Sequence, residues 1–338
     1  MTRRAALVGP TLAGAVAASI VVAITIGPAD LSPGAVWRII VDHLGGPESG
    51  QPLLRDHIVW ELRFPRVLLA GMVGSGLTVV GAVMQTLTRN PLADPYLLGI
   101  SSGASFGAVV VVVSGIGVTT VALSTGAFAG ALAAFLLVLA VGQRAGRITP
   151  TRMVLAGVAV AQACSALTTL VILWVNEPHA TQMITFWLSG SLAGADWGAV
   201  GLVAVVLVAV LGLCAWQGRA LDALAFGEDA AASLGVDVVR LRWALLVATA
   251  LLTAILVSFS GAIGFVGLVL PHAVRFLVGP GHRRVLPVAA LAGAIFLIWV
   301  DTLARAAFAP RELPVGVLTA LVGVPAFVAL LRRREVRG

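Results

Sequence analysis

No lysine occurs in the 338 residues of this chain. A nucleotide-binding P-loop sets a Lys against the terminal phosphates, and Schiff-base catalysis needs a Lys amine, so neither chemistry resides here. Charge of either sign is sparse: charged residues make up 11% of the chain, where soluble domains carry about a quarter. The two cysteines, Cys164 and Cys214, both lie inside apolar runs. They build neither a disulfide framework nor a four-thiolate zinc site, and read as small buried hydrophobes. The five histidines (His43, His57, His179, His272 and His282) fall on unrelated segments without a His-Glu-x-x-His pattern, which leaves an intramembrane metalloenzyme without a ligand set.

What the chain has in abundance is apolar surface: 59% of residues, with a mean hydropathy of +1.03. Apolar runs near the length needed to cross about 30 Å of hydrocarbon recur from end to end. They place about ten spans at 5–26, 64–86, 96–114, 118–141, 152–175, 197–217, 241–260, 262–279, 286–307 and 314–331. The expected fold is therefore all-α, a polytopic transmembrane helical bundle. No low-complexity linker interrupts it, so residues 1–338 read as a single transmembrane domain. The first run follows Arg3 and Arg4 but exceeds the usual apolar core of a signal peptide and lacks a clear small-residue cleavage site; it reads as a membrane helix.

Short cytoplasmic loops collect the positive charge of a membrane protein. With both termini inside, the inner segments hold Arg3, Arg4, Arg89, Arg144, Arg147, Arg152, Arg219, Arg240, Arg242, Arg283, Arg284, Arg332, Arg333, Arg334 and Arg337, against Arg38, Arg55, Arg63, Arg66, Arg305 and Arg311 outside. The net charge of +7 is thus a topology signal. No single basic arm gathers it, which argues against a nucleic-acid partner.

The longest polar stretches are an outer loop over 27–62, a second outer segment over 176–196 and an inner loop over 218–240. Small residues recur at helix-packing spacing, Gly103 with Gly107, Gly126 with Gly130 and Gly71 with Ser75, as close helix contacts in lipid require. Residues 183–195 are too short to span and are interrupted by Gly190 and Gly194, as in a short helix at the outer face. In the inner loop, Gly227 to Gly235 make about two helical turns, with Glu228 and Asp229 at the positive dipole end and Gly235 as the stop. Such a turn exposes Ala231, Ala232 and Leu234, either as a docking knob for a soluble partner or as an ordinary loop.

Arg63-Phe64-Pro65-Arg66 breaks the positive-inside trend: two guanidiniums face the outer water, as interfacial anchors or as partners for carboxylates of another protein. Asp301 and Arg305, one turn apart, form an internal ion pair unless Arg305 snorkels outward. Pro314 opens the last span after Glu312. Pro271 implies a kink or a broken helix in the eighth span, with His272 and Arg275 beside it. Asn90 to Pro95 is turn chemistry.

The run from Arg63 to Gly103, "RFPRVLLAGMVGSGLTVVGAVMQTLTRNPLADPYLLGISSG", with "GEDAAASLG", "GAIGFVGLVLPHAVRFLVG" and "DTLARAAFAPRELPVGVLTALVGVPAF", resembles the iron-siderophore, haem and cobalamin permease family of bacterial ABC importers. The resemblance covers essentially the whole chain. It implies ten helices per subunit in the inner membrane, both termini cytoplasmic, and a homodimer or a heterodimer with a similar permease. It also implies two ATP-binding-cassette ATPase subunits inside, which carry ATP and Mg while this chain binds no cofactor, and a substrate-binding protein outside. Gly227, Glu228, Ala231, Leu234 and Gly235 then match the family's coupling helix. Arg63, Arg66 and Arg305 match its outer docking arginines, and Thr151 with Pro150 a cytoplasmic gate, Pro150 standing where the cobalamin member has a hydroxyl residue. Residues 183–195 correspond to the family's short outer helix near the mouth of the path. The implied cargo is a large iron chelate, a ferric siderophore before haem or cobalamin. The alternative, an ion-coupled secondary transporter, requires polar coordination near the midplane, and few charges lie there.

Overall fold

The computed structural model describes residues 3–27, 29, 31–115, 119–143, 149–175, 178–308 and 311–335, and every regular element among them is helical. Arg144, Arg147 and Arg337 lie outside the described residues. The helices are α1 (Arg3–Thr25), α2 (Pro33–His43), α3 (Leu53–His57), α4 (Phe64–Leu87), α5 (Ile100–Ser114), α6 (Thr120–Gly142), α7 (Pro150–Trp174), α8 (Pro178–Leu188), α9 (Trp197–Trp216), α10 (Gly218–Ala225), α11 (Glu228–Ser233), α12 (Val238–Ser260), α13 (Val266–Val278), α14 (His282–Ala306) and α15 (Val315–Glu335). A π-helical turn, Ile58–Arg63, joins α3 to α4, so Leu53–Leu87 runs as 35 continuous helical residues.

Seven helical stretches are long and apolar enough to cross a bilayer by length and composition: Val8–Thr25, Leu53–Leu87, α6, α7, α9, α12 and α14. The other three expected spans have shorter counterparts, α5, α13 and Val315–Leu330 of α15. Two of these start late for local reasons. A 3₁₀ turn, Pro95–Leu98, and Gly99 in the left-handed region precede α5. A non-helical stretch from Gly261, at φ +63°, precedes α13.

Burial grades the helices. α4 is buried on nearly every face and sits at the centre, whereas α7 and α9 turn Leu155, Val158, Leu173, Val205 and Val208 outward. Helices apolar all round with such outer faces are at home in lipid. Their inward contacts rest on glycine. A Cβ on Gly107 or Gly130 would overlap the carbonyls of Gly126 and Gly103, so α5 and α6 touch backbone to backbone. Gly74 and Gly293 do the same for α4 and α14, and Gly81 and Gly267 for α4 and α13. Without a hydrophobic driving force between helices, such close dispersion contact is what holds them together. Ser75 adds a hydrogen bond to the Ala290 carbonyl, 2.8 Å.

Four expectations are corrected. The outer loop over 27–62 contains α2, α3 and the π turn; its signal was Ser32-Pro33, since Ser32 Oγ caps α2 by accepting from the Ala35 N–H and Pro33 takes the first helical position. The short outer helix is α8, beginning before residue 183 and ending at Leu188, with Gly190 left-handed and residues 189–196 irregular. The inner loop is two helices, α10 and α11. In the eighth span the helix breaks over 261–265, not at Pro271, which sits inside α13. Neighbouring helices let a membrane helix tolerate such a proline. The break is held by the one tyrosine: Tyr96 Oη donates to the Ile263 carbonyl at 2.8 Å and accepts its N–H at 2.9 Å.

Candidate functional site

The candidate residues gather at opposite ends of the bundle. At the end where α1 stops, α4 starts and α14 finishes, the three arginines do not face water. Arg63, Arg66 and Arg305 are 5%, 8% and 3% exposed, and the expectation of free outer guanidiniums is corrected by what they touch. Arg63 donates through Nη1 to the carbonyls of Ile24 and Thr25, both 3.4 Å, and through Nη2 to Ala29 at 2.8 Å. Arg305 Nη2 donates to the Ala23 carbonyl at 2.6 Å. The last carbonyls of a helix lack intrahelical partners and carry negative partial charge, so two guanidiniums seated on them cap α1. Gly27 leaves the room, since a Cβ there would lie 2.7 Å from Arg63 Nη2.

Arg66 closes the cluster. Its Nη2 lies 3.0 Å from Asp301 Oδ1 and its Nη1 2.9 Å from Glu312 Oε2. Asp301 also faces Arg305, 3.6 Å from its Nε, so the i,i+4 pair exists but the stronger partner of Asp301 comes from α4. Charges at this depth are retained only when paired and hydrogen-bonded. Glu312, whose sequence context shows only that it precedes Pro314, supplies the partly exposed carboxylate of the cluster.

At the other end, α11 is pinned from behind. Glu228 at its first position meets Arg242 of α12 at 2.6 Å. Ala231 is fully buried, correcting its expected exposure. Gly227 takes φ +114°, open only to glycine. At the far end Gly235 N–H bonds to Ala232 at 2.9 Å and Val236 N–H to Ala231 at 3.0 Å, the double bond pattern of a Schellman stop. The rear is fixed while the front is bare: Leu234 is 71% exposed and Phe226, just before the segment, 83%. Two large apolar side chains thus lie open on the front of this turn.

Pro150 occupies the first position of α7 and Thr151 is exposed on its first turn. The capping residue is Thr149, whose Oγ1 accepts from the Arg152 N–H, a Thr-Pro signal legible in the sequence. Asp94 caps the neighbouring 3₁₀ turn by accepting from Tyr96 N–H at 3.0 Å; burial pushes its carboxyl above the usual range. Two apolar grooves flank α15, one of about 640 Å³ lined by Leu188, Ala262, Val317 and Leu321, one of about 320 Å³ lined by Phe265, Val269, Phe296 and Ala326. Among the described residues no group of three His, Cys, Asp or Glu side chains is placed to hold a metal.

Comparison with known proteins agrees over nearly the whole chain. A sequence model of the FecCD transport family matches residues 15–333. The chain is 42% identical over 308 residues to the cobalamin import system permease protein BtuC of Halobacterium salinarum, covering 91% of this chain and 82% of that protein. It is 36% identical over 317 residues to the iron(3+)-hydroxamate import system permease protein FhuB of Bacillus subtilis, covering 93% and 80%. A solved protein assigned to the metal-chelate type of ABC transporter, in an inward-facing conformation, superposes with a TM-score of 0.83 at 29% identity, covering 96% of this chain and 98% of that one.

Proposed function

The chain belongs to the FecCD transport family, and on that premise we propose how this ABC importer permease is driven, what it carries and how it sits in the inner membrane. Two copies pair, both termini cytoplasmic, around a path for a large metal chelate. Two ATPase subunits bind inside, holding the ATP and Mg, and a substrate-binding protein docks outside. ATP binding and hydrolysis switch the path between outward and inward access.

The observation that carries this reading is α11, fixed behind by Glu228–Arg242 and Ala231 and bare in front at Leu234. A chain without a P-loop Lys needs an external engine, and this rigid apolar knob is a handle for one. Gly227 and Gly235 set its two ends. Thr151, with Pro150, is assigned to the inner gate. For the outer arginines we retain docking only as a subsidiary role, exercised through the half-exposed Glu312–Arg66 pair, their first task being to cap α1 and balance Asp301.

The cargo is proposed as a ferric siderophore, in line with the hydroxamate permease relative. Cobalamin, also a large metal chelate, is the second reading, favoured by the 42% identical relative. Purifying the chain with its ATPase subunits and binding protein tests the proposal. The expected particle holds two copies of each membrane and ATPase subunit, and the binding protein retains an iron chelate visible by absorbance and metal content. A chain that isolates alone, with no stimulated ATPase, would overturn it.

A further inference from the structure

His282, the first residue of α14, is almost fully buried, yet both ring nitrogens are engaged. Nδ1 lies 2.7 Å from Oδ1 of Asp222 on α10, and Nε2 lies 2.7 Å from Oγ1 of Thr86 near the end of α4. The backbone N–H of His282 donates to the same Asp222 oxygen, also at 2.7 Å. A carboxylate oxygen only accepts, so Nδ1 carries a hydrogen and Nε2 is left to Thr86. Asp222 thereby satisfies an orphan donor of the first turn of α14 and sets negative charge at the positive end of that helix. One imidazole clamps three elements that are distant in sequence.

The position of α10 gives this clamp its consequence. α10 ends two residues before Gly227, where the exposed segment begins. Its Leu221 and Leu224 are buried, and Gly218 packs so close that a Cβ would lie 3.0 Å from Arg283 Cγ. Apolar contacts can slide along a helix face. A row of short hydrogen bonds, buried at Thr86–His282 and part-buried at Asp222, is directional, and slippage would strand the buried imidazole.

We propose that the Asp222–His282–Thr86 row is a strut that passes displacement of the Gly227–Gly235 segment to α4 and α14 together, making Asp222 and His282 positioning residues for transport. The inference rests on reading that segment as the ATPase-docking handle.

The test is chelate transported per ATP hydrolysed by the complete complex in vesicles, with the binding protein present. Thr86→Val keeps the side-chain volume and loses the hydroxyl; Thr86→Ser does the reverse. T86V and D222N are expected to keep assembly and ATP hydrolysis near the starting level while transport per ATP falls about fivefold to tenfold. T86S is expected to transport normally, and the double variant T86V/D222N to lose no more than the worse single one, as coupled neighbours do. A packing role alone would rank T86S below T86V. That ranking, additive losses, or transport and hydrolysis falling in proportion would overturn the strut. If D222N does not assemble, the T86V and T86S pair decides. L234D separates the premise: ATPase association and coupled transport in L234D remove the docking handle itself, whereas an L234D that loses the ATPase beside fully coupled T86V and D222N removes only the strut.

Discussion

Arg66 and Asp301, 235 residues apart in the chain, meet at 3.0 Å through both Nε and Nη2 of the guanidinium. Asp301 is fully buried between two buried arginines, so removing it leaves Arg305 without a carboxylate partner and Arg66 with Glu312 alone. Asp301→Ala is expected to destabilise the subunit by about 3–5 kcal/mol. Thermal unfolding in detergent checks this at low and high salt. A buried cluster predicts the same loss at both, because screening acts on exposed charges. A purely surface docking cluster would leave the melting temperature unchanged.

Gly81 faces the Gly267 carbonyl with no room for a methyl group, while Gly212 on α9 has nothing within 4 Å of a built Cβ. Gly81→Ala is expected to separate α4 from α13 and lower stability by about 1–3 kcal/mol. Gly212→Ala is expected to stay within about 0.5 kcal/mol of the parent. Melting temperatures of the two variants, measured side by side, decide.

The ten apolar segments were legible because span length is set by bilayer thickness, which every spanning helix must match. The Gly103–Gly107 and Gly126–Gly130 spacings likewise pointed to a contact the fold makes. Other features could not be read. Arginines at positions 63 and 305 announce charge near a boundary, but nothing local says that the end of α1 lies opposite them. On a helix as short as α11, under two turns, periodicity cannot choose which alanine is buried, and Ala231 was placed on the wrong face. The break before α13 has its own sequence signal in Gly261 and Gly264, beside the stronger breaker Pro271.

Tyr96→Phe removes the hydroxyl that pairs with both the N–H and the carbonyl of Ile263. The expected cost is about 1–3 kcal/mol, the penalty for stranding buried backbone groups. Faster hydrogen exchange confined to residues 261–266 would be its signature; uniform protection across the bundle would contradict the anchoring role.

Leu234→Asp and Ala231→Asp separate the front of α11 from its rear. The first changes an exposed side chain and is expected to leave the melting temperature within about 0.5 kcal/mol equivalent while abolishing ATPase association. The second buries a carboxylate without a partner and is expected to cost several kcal/mol, about 3 or more. Unfolding curves and co-purification of the ATPase read both outcomes.

The central claim is that this lysine-free chain is moved by an external ATPase. Chelate uptake into vesicles holding the permease, its ATPase subunits and the binding protein tests it most directly. The account predicts uptake that stops when ATP is withheld or the ATPase is inactivated, and that continues when an ionophore collapses the proton gradient. Uptake that persists without ATP and collapses with the gradient would contradict it.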